Sequence, residues 1–453
     1  MKEALKSVVL VSLVVSSVLL AGLHWVGPMG LLAEDSISRE IRSPGRWGPP
    51  PAPSDLLFPR RLVIHAEGGV FEVTGPPQVH DDLWANTVSA LREARIGQTV
   101  SETDQKAWGS AASGAMELLF PIRLTLPQWA LVLGLPSGGL STEVGVDRVL
   151  VPDGDPNFLM IYDESRSRYF RLSLGQPLGR FREEVLKDAI LLEVDRILPS
   201  ELSIPASPHL YGSNLLEASL LAVEPENLSP DTVAAEFLFE PSATQTIVER
   251  DGSKVFTDGQ RSLRVLPGDK MEYLATPRLK TGGSVPQGLD ALRQALDFIG
   301  RVGGFMPGSF LSEWTLITGD QGRRSELLFS FDYRYKGWPI VAEPPSVTLV
   351  VSGNQVARYT RKVMRPVSFT GAVRAVHTPE EILSRVAAAW ESLFPRGQRP
   401  TPVRDIFKAY YHPGEGTKTT FSPVWVVEFV DGKRIVFDAY TGSEIKSSPS
   451  TGL

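Results

Sequence analysis

One long apolar run near the start of the chain places the strongest constraint on what this sequence can fold into. From Ser7 to Val26 the segment reads SVVLVSLVVSSVLLAGLHWV and contains no Asp, Glu, Lys or Arg. About 20 helical residues span the roughly 30 Å hydrocarbon layer of a bilayer, so the run predicts a transmembrane helix over residues 7–26. A cleaved signal peptide is the alternative, but the run is longer than a usual signal core and no clean A-x-A site follows it.

The charges around this run predict its orientation. Lys2 and Lys6 precede the run, and the first charges after it are Glu34 and Asp35. The positive-inside rule therefore places residues 1–6 in the cytoplasm and the bulk of the chain outside the cell membrane. The chain has no cysteine, which excludes disulfides and thiolate chemistry and is compatible with an extracytoplasmic protein.

Small residues within the predicted span are candidates for helix packing. Ser12 and Ser16 are four residues apart, as are Ser17 and Ala21, and this spacing lets neighbouring membrane helices approach closely. Small residues are also common in any membrane helix, so the spacing alone does not decide between a specific packing role and ordinary composition. It leaves self-association and a heterologous helix partner both open.

The composition describes a globular α+β protein outside the membrane. Hydrophobic residues make up 42% and charged residues 22% of the 453 residues, and 36 prolines and 40 glycines indicate many turns. This length exceeds one ordinary core, and β-type alternation outweighs long amphipathic helices. We predict a proline-rich tether over residues 27–55. Three small domains of antiparallel sheets packed with helices follow at 56–205 (N-terminal), 206–372 (middle) and 373–453 (C-terminal).

Helices and turns within these domains have readable signals. Apolar periodicity predicts helices over residues 81–95, 183–195, 289–302 and 379–393, and Thr378 with Glu381 forms a capping box at the start of the last one. Gly68-Gly69 predicts the turn of a hairpin near the start of the first domain. Helix followed by meander occurs twice, which indicates a weak internal duplication.

The C-terminal segment PVWVVEFVDGKRIVFDAYTGSEI predicts a hairpin that turns at Asp431-Gly432. With a two-residue loop, one face would carry Val424, Val426, Val430, Ile435 and Phe437, and the other Trp425, Val427, Phe429, Val436 and Tyr440. Trp425 and Phe437 would then lie on opposite faces. Because neither face is polar, we expect a helix to cover one and further protein the other. Asp438 is predicted to cap the turn at Thr441-Gly442 and not to act as a catalytic acid.

Signals for catalysis, metals and cofactors are missing from the sequence. The formal net charge of −6 argues against a nucleic-acid surface. The six histidines include no close pair, and no G-x-S-x-G, Walker or G-x-G-x-x-G motif occurs. Asp153 to Glu164 imitates the ligand spacing of a calcium loop, but Phe158 replaces the required glycine, so a β-turn between strands is favoured. We therefore expect no catalytic residue, no metal and no cofactor.

Three cations in the middle region, Arg358, Arg361 and Lys362, alternate with apolar residues along a predicted strand. They could bind an anionic partner. A solvated strand face is the favoured interpretation.

The order of segments resembles the YycH family, whose C-terminal regions are similar to YycI. The resemblance rests on the short cytoplasmic start and single span, on FPRRLVIHAEGG, on VFTDGQRSLRV, on LLFSFDYRYKGWPIV with VARYTRKV, and on VDGKRIVFDAYTGSEI. The final hairpin is also similar to PepSY-type domains. The long proline-rich tether departs from the family pattern and leaves open how far the domains sit from the membrane.

This resemblance implies a single-pass protein that works with a YycI-like protein to restrain the sensor histidine kinase WalK, also called YycG, which controls cell-wall metabolism. The PepSY-like hairpin leaves a second function open, that of an extracytoplasmic inhibitor or chaperone of a peptidase. A wall-degrading enzyme is a more distant third.

Overall fold

The computed structural model describes residues 50–74, 77–154, 156–178, 186, 189–226, 229–237, 244–268, 270–276, 288–318, 325–353, 355–394, 401–413 and 419–445. Within these ranges no helix is both long enough and apolar enough to cross a bilayer. The predicted span at residues 7–26, with its candidate packing residues Ser12, Ser16, Ser17 and Ala21, lies outside the described residues, as does the tether up to residue 49.

An antiparallel sheet of nine strands occupies the first part of the described chain, in the order β3-β7-β6-β5-β4-β1-β2-β8-β9. Its strands are β1 (Arg61–Ala66), β2 (Gly69–Thr74), β3 (Ile96–Thr103), β4 (Met116–Thr125), β5 (Gly145–Val151), β6 (Phe158–Asp163), β7 (Arg168–Leu174), β8 (Ile190–Ile197) and β9 (Leu210–Ser213). The helices of this part are α1 (Pro53–Leu56), α2 (Pro77–Ala94), α3 (Gln105–Ala112) and α4 (Leu126–Val132), and a 3-10 turn spans Pro199–Glu201.

Helix α2 packs one apolar side into the core. Leu83, Trp84, Val88 and Leu91 are all buried, as their helical spacing predicts, and the helix begins at Pro77 rather than Asp81. The indole Nε1 of Trp84 donates a hydrogen bond to the Ser54 carbonyl at 3.1 Å. The helix therefore fixes the chain where it enters the first sheet.

A second sheet of 15 strands takes up the rest of the chain, in the order β11-β12-β13-β14-β19-β18-β16-β17-β21-β22-β10-β20, with β15 beside β16, β23 beside β22 and β24 beside β23. These strands are β10 (Glu217–Pro225), β11 (Gln245–Val248), β12 (Lys254–Thr257), β13 (Arg261–Leu266), β14 (Lys270–Ala275), β15 (Ser309–Thr318), β16 (Ser325–Tyr335), β17 (Trp338–Ala342), β18 (Val347–Ser352), β19 (Gln355–Arg361), β20 (Met364–Ala375), β21 (Val403–His412), β22 (Thr420–Phe429), β23 (Arg434–Asp438) and β24 (Glu444–Ile445). The parallel pair β17–β21 joins the middle strands to the C-terminal meander.

The helices of this second part are α5 (Pro230–Glu236), α6 (Gly288–Arg301), α7 (Pro379–Ala388) and α8 (Trp390–Leu393). At the start of α7, Thr378 Oγ1 accepts the Glu381 N–H at 3.2 Å and the Glu381 carboxylate accepts the Thr378 N–H at 3.1 Å, which confirms the predicted capping box.

The two sheets and their few helices confirm the predicted α+β class with mostly antiparallel sheets. The domain boundaries at 205/206 and 372/373 remain predictions.

The helix predicted over residues 183–195 is wrong for its second half. Residues 190–197 form strand β8, which pairs with β2 on one side and with β9 on the other. Ile190, Val194 and Ile197 are β-branched and suit a strand. The backbone hydrogen bonds that β2 and β9 supply override the local helical periodicity.

The C-terminal hairpin forms with a register one residue away from the prediction. Trp425 pairs with Phe437 and Val426 with Val436, because the loop has three residues: Gly432 takes a φ of 86° and the Phe429 N–H donates to the Lys433 carbonyl at 2.8 Å. A shift of one residue moves every side chain of a strand to the other face. Trp425 and Phe437 therefore share a face.

Both faces of this hairpin are covered, as its pattern predicts. On one face Trp425, Val427, Phe429, Ile435 and Phe437 pack with α7 through Ile382, Leu383 and Val386. On the other, Val424, Val426 and Val436 pack with Val341, Phe407 and Ala409. The hairpin is core structure on both sides.

Candidate functional site: a buried ion-pair network

A cluster of buried charges lies where the first sheet meets β21 and β22 of the second. We call it the ion-pair network; five guanidinium groups face six carboxylates in it, contributed by Arg60, Arg61, Glu72, Glu117, Asp147, Arg148, Glu164, Arg404, Asp405, Glu428 and Arg434.

Arg148, on β5, is one centre of the network. Its Nη1 lies 2.9 Å from Glu117 Oε1 and its Nε 2.8 Å from Glu164 Oε1. Its Nη2 donates to the backbone carbonyl of Arg404 at 3.1 Å. Because Arg404 lies on β21, the Arg148 side chain connects the interior of the first sheet to the C-terminal meander.

Glu428, on β22, is the second centre. Its carboxylate lies 2.6 Å from Arg60 Nη1, 3.0 Å from Arg404 Nη1 and 2.9 Å from Arg434 Nε. Burial opposes ionisation of Glu428, but Arg60, Arg434 and Arg404 outweigh it and hold the pKa of this carboxyl well below its ordinary value. The group is therefore a permanent anion at neutral pH.

Further pairs connect the two centres. Arg60 and Arg61 reach Asp405 at 3.2 and 3.1 Å, and Arg404 reaches Asp147 at 3.1 Å. Each buried charge is thus opposed by its neighbours, which is the arrangement that makes buried ions tolerable. The network is a structural contact between the two sheets, because its charged groups pair with one another.

Histidine and aromatic rings pack beside the network. Tyr169 Oη lies 3.1 Å from His209 Nε2, and the Trp108 and Tyr162 rings lie 4.9 and 5.0 Å from the His209 ring. Burial, together with Arg148, lowers the pKa of His209 to about 3. This histidine is neutral at physiological pH and fills space between rings.

A cleft of about 560 Å³ lies between α2 and residues 305–309. On its rim, Arg334 lies 3.2 Å from the Phe58 ring centroid and 3.0 Å from Asp81 Oδ1. Burial lowers the pKa of Arg334 to about 10, with Asp81 opposing this shift. Phe58, Trp84 and Phe305 also line the cleft, and each of them is buried.

The calcium-like sequence Asp153 to Glu164 does not form one loop. Its first part connects β5 to β6, as predicted, and from Phe158 to Asp163 it is strand β6 itself. Glu164, the twelfth position of the imitated loop, is turned to Arg148 instead. Among the residues that the structure describes, no group of three or more His, Asp and Glu side chains could hold a metal ion.

The interpretation of Arg358, Arg361 and Lys362 as a solvated strand face is wrong for Arg361. Its side chain is buried and lies 2.6 Å from Glu226 Oε1, and its Nη1 donates to the Gly304 carbonyl at 3.0 Å. Arg358 is exposed, as predicted. Arg361 lies on the same face of β19 as Ala357 and Tyr359, and all three are buried.

Asp438 closes the turn after β23. Its Oδ1 accepts the backbone N–H groups of Tyr440 at 3.0 Å and Thr441 at 2.9 Å, and the Thr441 hydroxyl at 3.1 Å. This geometry confirms the predicted turn cap.

Sequence reasoning missed the ion-pair network, although part of its signal is visible. Glu117, Arg148 and Glu428 each lie within strongly apolar stretches: MELLF, VDRVLV and VWVVEF. A charge inside a strand that is buried on both faces needs a partner. The sequence does not show which partner, because Arg60 and Glu428 are separated by 368 residues.

No protein-family model matches this sequence, and no curated protein matches it. Among solved structures, YycH from Bacillus subtilis is similar to this chain with a TM-score of 0.57 and 14% identity, over 84% of this chain and 96% of that chain. An uncharacterized protein from Eubacterium rectale aligns with 53% of this chain and 90% of its own at a TM-score of 0.35 and 13% identity, a likeness too weak to bear on the fold. Because the first likeness extends over 96% of the Bacillus subtilis chain, this protein has a YycH-like fold.

Proposed function

We propose that this protein is a non-enzymatic, membrane-anchored regulator of a WalK/YycG-like sensor histidine kinase and acts together with a YycI-like protein. The observation that carries the proposal is the YycH-like fold over 84% of the chain. The apolar run at residues 7–26 supports the anchor. The protein is then single-pass, with residues 1–6 in the cytoplasm and the remaining domains outside.

The interior of the protein fits a regulator. The ion-pair network joins β4 and β5 to β21 and β22 through buried guanidinium groups, so the two sheets hold a fixed relative position. A regulator needs such a rigid body on the outside and a helix that can pack against other helices in the membrane. Ser12, Ser16, Ser17 and Ala21 are the candidates for that packing.

Reconstitution of the kinase tests this function. The kinase and a YycI-like protein are placed in nanodiscs with or without the full chain, and kinase autophosphorylation is measured. We expect the full chain to change the rate by at least about fivefold, the lower end of ordinary coupling between sites. An unchanged rate, with all three proteins present in the same nanodiscs, would contradict the proposal.

Substitutions in the span separate anchoring from helix packing. A chain with Ser12→Leu and Ser16→Leu should insert normally but lose the effect on the kinase, because bulky side chains keep neighbouring backbones apart. Val9→Leu with Val14→Leu is the matched control and should keep the effect. Protease added to intact protoplasts should digest all but a short fragment of either variant; full protection would contradict the topology.

A second candidate function rests on the C-terminal hairpin, whose sequence resembles PepSY-type domains and against which α7 packs. In this case the protein would be an extracytoplasmic inhibitor or chaperone of a peptidase. Purification from detergent-solubilised membranes distinguishes the two: a sensor kinase in the eluate supports regulation, and a peptidase supports the second function.

A further inference from the structure

The cleft beside α2 has the size of a small-molecule site. Its volume of about 560 Å³ lies within the range of clefts that hold small ligands, about 300–1,000 Å³. Helix α2, from the first part of the chain, lines one side, and residues 305–309, from the second part, line another. Pro51 and Ser54 line it as well. Ligand sites are often found where separate parts of a chain pack together in this way.

Much of the lining is apolar. Four large apolar side chains line the cleft and belong to the hydrophobic core behind it: Phe58, Trp84, Phe305 and Met306. Ala85 on α2 and Pro307 line it as well, and both are exposed to solvent. An apolar body in the cleft would therefore lie against a wall that core packing already holds in place, which lowers the entropy cost of binding.

The cleft already holds one organic cation, which the chain itself supplies. The Arg334 guanidinium lies 3.2 Å from the Phe58 ring centroid, and its Nη2 lies 3.0 Å from Asp81 Oδ1. An aromatic ring and a carboxylate are the two groups with which proteins commonly hold a guanidinium or ammonium group. The pair shows which ligand chemistry the walls of this cleft favour.

The charges that line the cleft leave it negative. The carboxylates of Asp55, Asp81 and Asp82 stand against the guanidinium groups of Arg92 and Arg334. Asp81 is the partner of Arg334, so two carboxylates and one guanidinium group are left. Burial raises the pKa of Asp81; Arg334 opposes this shift, and Asp82 and Asp55 add to it, as expected where carboxylates lie close together.

Arg92 does not cancel this excess of negative charge. Its Nε donates to the Leu133 carbonyl at 2.7 Å, so the guanidinium is held at the C-terminal end of α4, where a cation is already favoured. Asp82 is exposed, and its carboxylate forms no ion pair with any residue that the structure describes. An anion in the cleft would be repelled by Asp55 and Asp82, whereas a cation would be attracted by both.

We propose that this cleft binds a small organic cation, which carries an ammonium, guanidinium or amidinium group on an apolar body. The cation lies against the carboxylates of Asp55 and Asp82, and the apolar body lies against Trp84 and Met306. Because Pro51 lines the cleft, the ligand also contacts the end of the predicted tether. This inference does not depend on the proposed regulation of a kinase.

Benzamidine tests the proposal, because it joins an amidinium group to an aromatic ring. Its binding to the full chain in detergent is measured by saturation-transfer NMR, and benzamide and benzoate serve as neutral and negative analogues of similar shape. We expect benzamidine to bind at least about tenfold more tightly than benzamide, because hydrogen bonds between charged groups are stronger than neutral ones. Benzoate should bind more weakly than benzamide. Absence of benzamidine binding, or equal binding of benzamidine and benzamide, would overturn the proposal.

Substitutions test the place of binding. Asp82→Asn should weaken benzamidine binding about fivefold, the upper end for an exposed ion pair, and leave benzamide binding unchanged. Asp195→Asn, the same change at an exposed site on β8, is the matched control and should affect neither compound. Equal effects of these two variants on benzamidine would overturn the charge assignment.

A second pair of variants fills the cleft. Ala85→Phe should abolish benzamidine binding, because Ala85 lines the cleft from α2. Asn86→Phe, at the next exposed position of the same helix, should bind benzamidine as the parent protein does. Equal binding by the two folded variants would place the site elsewhere and overturn the proposal. If Ala85→Phe does not fold, the comparison of Asp82→Asn with Asp195→Asn decides.

Discussion

At the scale of single residues, Glu428 is the group on which the interior depends most. Three guanidinium groups donate to its carboxylate, and all of them would be left short of negative charge by Glu428→Gln. Removing one partner of a buried ion pair costs about 3–5 kcal/mol, so we expect a loss of that size in the free energy of unfolding, measured by urea denaturation.

Glu444→Gln is the matched control for this substitution. Glu444 lies on β24 of the same meander and is exposed, so the variant should unfold at the same urea concentration as the parent protein. Equal stability of Glu428→Gln and Glu444→Gln would show that the ion-pair network contributes nothing to folding.

At the scale of elements, the C-terminal hairpin depends on the contact between β22 and α7. Trp425 is fully buried in this contact, and its Nε1 donates to the His377 carbonyl at 2.9 Å. Trp425→Ala should lower the free energy of unfolding by about 3–5 kcal/mol, because a cavity replaces the indole. Trp390 provides the comparison, because it is half-buried at the margin of the same cluster. Trp390→Ala should lower the free energy of unfolding clearly less in the same chemical denaturation experiment. A larger loss for Trp390→Ala than for Trp425→Ala would contradict this packing.

The same elements show what a sequence can predict. The start of α7 was predictable because Thr378 and Glu381 cap it within one turn. The hairpin was predictable from Asp431-Gly432. Which side chains share a face was not predictable, because the same sequence is compatible with a loop of two or of three residues, and the two loops differ by one residue in strand register. Residues 190–195 and Arg361 were misassigned for another reason. Their partners lie far away in the chain: strands β2 and β9 pair with the former, and Glu226 pairs with Arg361.

At the scale of the whole molecule, buried histidines should make the protein sensitive to mild acid. Burial lowers the pKa of His80 to about 4 and those of His209 and His412 to about 3. In the unfolded chain each histidine binds a proton near its ordinary value of 6.5, while the folded protein keeps it neutral. Stability is therefore complete above about pH 6.5 and falls as the pH drops towards 4, by up to about 1.4 kcal/mol per unit for each histidine.

His412→Phe tests this acid sensitivity. The His412 ring stacks on Phe421 at 4.9 Å, and its Nδ1 has no hydrogen-bond partner, so a phenyl ring can replace it. Between pH 7 and pH 5 the variant should lose about 2 kcal/mol less than the parent protein in urea denaturation. If the free energy of unfolding fell equally with pH in the two proteins, His412 would not contribute to the acid sensitivity.

The length of chain between the partners in the ion-pair network has a consequence for the order of synthesis. Arg60 leaves the ribosome before Glu428, which is separated from it by 368 residues. Domains commonly fold from the N-terminal end while the chain is still growing. Arg148 then has Glu117 and Glu164 as early partners, but Arg60 has no carboxylate partner until β21 and β22 supply Asp405 and Glu428. A nascent chain of this protein therefore carries Arg60 without a carboxylate partner beside the first sheet until β21 and β22 have been synthesised.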